Sequence, residues 1–283
     1  MNGINGIIPI YKEKGMTSFD VVREIKKIFK TNKVGHTGTL DPLAEGVLLV
    51  CIGKATKIVE LLTANEKEYI ATIKLGIETD TLDIEGNILK EETIPNKLNI
   101  EEVISSYNNR TYNQEVPKYS AIKVKGKKLY EYARNNIEVE IPKKEVTIKN
   151  IELIESNKDT FKIKTLVTKG TYIRSLIRDI CKDLNTIGTM TELLRIKQGK
   201  VELKDCYKLS DIEKGNYKIK SIEEVLPYKI IEVDEETKTK ISHGIKIDNT
   251  YNITDKVIFK YNSELLGIYE QEKDKLKVWK NFI

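Results

Sequence analysis

Little in this chain favours metal, disulfide or membrane chemistry. It has three cysteines, Cys51, Cys181 and Cys206, an odd count with no C-x-x-C spacing. Neither a disulfide framework nor a zinc ribbon is expected. Its two histidines, His36 and His243, supply too few soft ligands for a His/Cys metal centre, so no metal or other cofactor is expected. Carboxylate-bound magnesium is left open by that argument. No apolar run nears the roughly 20 residues of a membrane helix. The opening stretch, MNGINGIIPIYKEKG, lacks the basic segment and long apolar run of a signal peptide. A cytoplasmic protein away from membranes is the expectation. A phosphate-binding P-loop is missing as well. Gly53-Lys54 follows Gly46 after six residues rather than four, and Ala55 stands where Ser or Thr is needed. There is no G-x-S-x-G, and nothing pairs a serine or cysteine with His36, as a triad hydrolase would require.

What is present describes an ordinary folded chain. The 283 residues are 40% hydrophobic and 32% charged, enough to bury a core. The length suits one large domain plus a small one. The net charge of +5 is a weak basic excess, but it is uneven. Residues 118–149 carry nine basic side chains, including Lys123, Lys125, Lys127 and Lys128, against four acids. By charge alone this reads as a solvated lysine face or as an RNA contact.

The apolar pattern predicts strands over 7–11, 47–53, 67–76, 145–154 and 160–168. It predicts helices over 17–30, 101–110, 127–135 and 173–184. Thr17 and Asp20 fit a capping box. Residues 113–117 read as a loop. After about residue 210, short alternating runs and a turn at Asn262-Ser263 suggest a small β-rich domain. Strands and helices mix without a βαβ rhythm, so the fold class is α+β. The division is drawn as 1–210 and 211–283.

The densest chemical signal is GHTGTLDPLAEGVLLVCIGKATK, residues 35–57, where glycines permit close backbone approach to a ligand. Asp41 precedes Pro42, which pushes it out of helix. Alone it reads as a turn residue, or as a carboxylate presented by a glycine-rich loop on a rigid strand. His36 reads as a loop histidine or a substrate contact. Arg174 reads equally as an exposed cation at a helix start or as a guanidinium that pairs with a carboxylate. Tyr69 and Tyr172 read as alternating core residues.

That stretch resembles the aspartate motif of the TruB family of pseudouridine synthases. Lys67-x-Tyr69 with LGIETDTLDIEG (75–86), VPKYSAIKVKGKKLYEYAR (116–134), GTYIRSLIRDI (170–180) and LLR (193–195) resemble the family's further motifs in order. A basic residue is common where Leu194 stands. The last 70 or so residues match only loosely. The resemblance implies a mixed, mainly antiparallel sheet with flanking helices around a central cleft. It also implies an RNA-gripping insertion near 115–140 and a PUA-like β-domain at the end. It implies isomerisation of uridine 55 to pseudouridine in the T-loop of tRNA, without guide RNA or cofactor. Asp41 would be the nucleophile and Arg174 its partner. An aspartate is ionised at neutral pH, and a guanidinium beside it favours that form. Tyr69 would stack on the extruded base and handle a proton. Tyr172 and Leu193 would line the pocket, and His36 would touch the folded loop. Lys57 and Lys67, with Lys127 and Lys128, would meet the RNA backbone. The expected partner is tRNA, gripped at its T-loop and acceptor arm, by a monomer that needs no other protein. Three rivals stay open: a non-catalytic tRNA-binding or tRNA-folding protein, a guide-dependent synthase, and a small-molecule hydrolase.

Overall fold

In the computed structural model, which describes residues 4–283, the chain builds two large sheets that share a core, with two small two-stranded sheets beside them. The first three residues of the opening stretch lie outside the described residues. Across the large sheet the strands run Gly6–Lys12, Glu45–Ile52, Gly188–Gln198, Lys67–Leu75, Thr160–Val167, Lys143–Ser156 and Arg110–Glu115. Val34–His36 and Val201–Glu202 add short pieces. Every pairing is antiparallel except that of Glu45–Ile52 with Gly188–Gln198. The sheet is mixed and mainly antiparallel, as expected.

The run VLLVCI is apolar throughout because both its faces are covered. Leu48, Val50 and Ile52 face one core. Val47, Leu49 and Cys51 face another. Strand side chains alternate between faces, so successive residues of the run are buried alternately by the two layers. Each fully buried Val, Leu or Ile contributes about 1.5–3 kcal/mol. Lys67–Leu75 alternates buried and half-buried residues along its whole length.

Two eleven-residue helices pack on the first core. Ser18–Ile28 begins at Thr17, whose side chain accepts the Asp20 N–H while Asp20 returns a bond to the Thr17 N–H. Ile173–Asp183 buries Ile173, Leu176, Ile177, Ile180 and Cys181, the stripe read from the sequence. On the opposite face, Ile258 and Ile268 of the second sheet, with Phe282 just after its last strand, pack with Val47, Leu49 and Cys51. That five-stranded sheet runs Lys229–Glu232, Lys256–Tyr261, Glu264–Glu272, Lys275–Asn281 and Ile247–Asp248. Asn262 and Ser263, at φ 48° and 64°, turn its central hairpin, as a two-residue turn with both residues left-handed should. Between the sheets, Ile212 belongs to the first core, and Ile222, Val225 and Leu226 to the shared one.

Some expectations need correcting. Residues 113–115 are strand, not loop. They end the edge strand Arg110–Glu115, whose polar sequence suits an edge paired on one side only. The helix expected over 101–110 stops at Ser105. The one expected over 127–135 starts at Leu129, because Lys127–Lys128 pair with Lys123–Val124 around Gly126. Gly188–Gln198 is a central strand that periodicity missed.

Candidate active site around Asp41 and Arg174

The loop from His36 to Ala44 is clamped at almost every residue. The Thr37 N–H donates to the Leu49 carbonyl at 3.1 Å. Gln198 Nε2 donates to the Thr37 carbonyl, the Thr37 hydroxyl and the Leu62 carbonyl. The Ser18 hydroxyl accepts the Leu40 N–H at 2.8 Å and donates to the Leu40 carbonyl at 3.1 Å. The Pro42 carbonyl accepts the Gly15 N–H at 2.9 Å. A loop held this way presents Asp41 from a rigid frame, which site geometry requires.

Gly46 closes the frame. Its φ is +103°, and a Cβ there would lie 2.2 Å from the Arg195 carbonyl oxygen. Only glycine fits where the two parallel strands meet.

Arg174 opens the helix Ile173–Asp183, yet it is 5% exposed. Of its two readings, the exposed helix-start cation does not hold, because long-range acceptors surround the group. Its Nη1 donates to the Thr81 carbonyl at 2.7 Å and its Nη2 to the Tyr119 carbonyl at 3.1 Å. Nη1 lies 3.5 Å from the Asp83 carboxylate, and Nη2 lies 2.9 Å from Asp41 Oδ2. Asp83 is itself held by the Thr81 hydroxyl and the Glu85 N–H. The guanidinium is thus fixed from behind and turned toward Asp41. A carboxylate so placed can attack, or stabilise developing positive charge, without first reorganising its partner.

Tyr172 immediately precedes this helix. Burial chiefly pushes its hydroxyl pKa up, and the nearby Asp41 charge pushes the same way. The hydroxyl therefore stays protonated at neutral pH, with Ser120 and Arg174 pulling the other way. Tyr69 is 7% exposed. In register, Tyr69 faces Arg195 and Ala71 faces Leu193, so Leu193 and Tyr69 share a sheet face. Arg195, 1% exposed, donates to the Val47 carbonyl at 2.6 Å and to the Gly38 carbonyl at 3.3 Å. Its Nη1 lies 3.5 Å from the Tyr69 hydroxyl. Arg195 therefore ties Tyr69 to the loop three residues before Asp41.

His36 ends a short strand, and its Nδ1 accepts the Gly38 N–H at 3.3 Å. Burial lowers its pKa, which leaves a neutral ring at pH 7 with the proton on Nε2. Lys127 is exposed, and Lys128 lies against the Tyr130 ring. Their hairpin is rooted close to Arg174: Ser120 and Ile122 accept the Tyr130 and Leu129 N–H groups, next to the Tyr119 carbonyl.

Two lysines are not brought to the Asp41–Arg174 pair. Lys57 Nζ donates to the Asn281 carbonyl at 2.5 Å, across to the second sheet. Lys67 turns inward, donating to the Thr63 and Asn65 carbonyls at 2.9 and 2.8 Å. Burial lowers its pKa to about 8.

Sequence reasoning missed Asp83, Arg195 and Lys12. Lys12 is fully buried and donates to the Glu13, Met16 and Pro42 carbonyls. Burial lowers its pKa to about 8, against the opposing pull of Glu45 and Asp41. A lysine ending an apolar strand carries no signal of such burial. Asp83 sits in the quoted stretch LGIETDTLDIEG, which was the available hint.

A nucleophilic cysteine is not offered. Burial pushes the Cys51 and Cys181 thiols up to about 12, so neither is a thiolate at neutral pH.

Residues 26–173 match the model of the TruB family pseudouridylate synthase N-terminal domain. The tRNA pseudouridine synthase B of Caldanaerobacter subterraneus subsp. tengcongensis is 40% identical, over 97% of this chain and 98% of its own. That of Clostridium tetani is 43% identical, over 95% and 93%. Among solved structures, a chain of a Cbf5-Nop10-Gar1 complex superposes with a TM-score of 0.74 at 25% identity. It covers 98% of this chain and 85% of that one.

Proposed function

Because the chain belongs to the TruB family of pseudouridylate synthases, we propose that it isomerises uridine to pseudouridine in tRNA, at uridine 55 of the T-loop. The observation that carries the reading is the Asp41 carboxylate 2.9 Å from a buried, pre-fixed Arg174. Pseudouridine formation detaches uracil from ribose, rotates it and rejoins it through carbon. The change is redox-neutral and needs no group donor, so the chain's own side chains suffice.

In this reading Asp41 is the nucleophile and Arg174 holds its charge in place. The target base leaves its stack, at a cost of a few kcal/mol. Stacking on Tyr69, worth about 1–3 kcal/mol per base, offsets it. Leu193, beside Tyr69, supplies an apolar wall, and Tyr172 lines the pocket next to Asp41. The neutral His36 reaches the RNA loop. Lys127 and Lys128 hold phosphates. Lys57 and Lys67 are left out, because each already donates to backbone carbonyls. The five-stranded domain, read as PUA-like, meets the acceptor arm.

We place the protein in the cytoplasm as a monomer that works alone. No helix among the described residues is long and apolar enough to cross a membrane. The rival reading, a tRNA binder without chemistry, gives no reason to bury a guanidinium and turn it toward Asp41. Incubating purified protein with an unmodified tRNA transcript tests the proposal. Pseudouridine at position 55 is expected; unchanged uridine there would reject it.

A further inference from the structure

Gln114 is 1% exposed in a strand whose other residues are exposed or half-buried. Burying a side-chain amide is costly unless both its ends are paired. Both are. Its Oε1 accepts the Tyr172 N–H at 2.8 Å, and its Nε2 donates to the Tyr112 hydroxyl at 2.9 Å. A backbone N–H can only donate, so the amide oxygen must face Tyr172. The Tyr112 hydroxyl donates onward to Asp179 Oδ2 at 3.1 Å. Arg178 binds the other oxygen of Asp179 twice.

The geometry matters because of where these bonds land. Tyr172 is the residue that starts the helix Ile173–Asp183, and its side chain caps nothing. N–H groups at a helix start have no intrahelical acceptor, so Gln114 supplies one from the neighbouring sheet edge. Asp179 lies seven residues further on, two turns along the same helix face. One edge strand thus grips the helix at two points and restrains both its slide and its roll.

We propose that Gln114 is a positioning residue, which sets the placement of Tyr172 at the target base through the Tyr172 N–H. The inference rests on the pocket assignment of Tyr172 made above. A displacement of about 1 Å in a reacting group can cost on the order of 100-fold in rate.

The test is Gln114→Met, which keeps the volume but offers only a weak thioether acceptor in place of the amide oxygen, on the full chain with tRNA transcript. At saturating enzyme the single-turnover rate constant should fall roughly 10- to 100-fold, with tRNA affinity within about threefold. Tyr107→Phe is the control. It removes the 2.7 Å bond from Tyr107 to Asp183 on the same helix but leaves Tyr172 untouched, so its rate should be unchanged. In a Tyr172→Ala background the loss from Gln114→Met should largely disappear, because residues acting through one another are not additive. Should Gln114→Met fail to fold, Gln114→Asn withdraws the amide by one methylene and enters the same cycle. A normal rate in the variant, or equal losses with and without the Tyr172 side chain, overturns the proposal. Wild-type protein assayed alongside separates the two levels. No conversion by wild type rejects the tRNA reading itself, whereas conversion at equal rates rejects only the role of Gln114.

Discussion

Replacing Arg174 with methionine should damage stability and catalysis by routes that can be separated. The side chain is 6% exposed and serves two carboxylates and two backbone carbonyls. Asp83 is 9% exposed on its side chain, so removing Arg174 strands a buried charge. Breaking a buried pair from one side costs about 3–5 kcal/mol. The Asp41 side chain is 36% exposed. Its share is screened and adds only about 0–1 kcal/mol. Most of the stability loss should therefore come from Asp83, while the catalytic loss comes from Asp41. Asp83→Asn in the Arg174→Met background removes the stranded charge and keeps the oxygen that accepts from Thr81 and Glu85. It should recover about 1–3 kcal/mol and no activity. Urea unfolding at pH 7, read from midpoints at constant m-value, measures the first effect, and tRNA conversion the second. The reasoning is refuted if Arg174→Met costs less than about 1 kcal/mol, or if the double variant is no more stable than the single.

Lys67 carries a pH prediction. Its folded pKa, about 8, lies below the unfolded value, so between those two values the unfolded chain binds more protons and stability rises with pH. Relative to Lys67→Met, wild type should gain on the order of 2 kcal/mol from pH 7 to pH 10; a flat difference in urea midpoints would contradict it. Lys127→Gln with Lys128→Gln should weaken tRNA binding and flatten its salt dependence by roughly 0.7 per lost phosphate contact. The single-turnover rate at saturating enzyme should hardly change, and an unchanged salt slope would make both lysines merely solvated.

How much was legible follows from what kind of contact each residue makes. The strand Lys67–Leu75 and the stripe from Ile173 to Cys181 were readable because their burial follows local periodicity. The Thr17–Asp20 box and the Asn262-Ser263 turn were readable because they close within a few residues. Gly188–Gln198 was not, since Arg195 and Gln198 are buried polar groups serving carbonyls of the Asp41 loop and of the strand after it, far away in sequence. Lys67 differs: the resemblance implied a contact with the RNA backbone, whereas two carbonyls only four and two residues before it, near the end of a short helix, take its ammonium. Arg174 drew notice through motif resemblance, while its burial depends on residues 41, 81, 83 and 119 meeting in space. Asp83 and Lys12 have no periodic signature at all.

The central claim is that Asp41, oriented by Arg174, performs the isomerisation. The most direct test is pseudouridine formation by Asp41→Asn on a tRNA transcript, with binding measured on the same preparation. The substitution keeps size and hydrogen bonding but removes the anion. The account predicts that the variant binds tRNA as wild type does and forms no pseudouridine. Near-normal turnover by Asp41→Asn would contradict it.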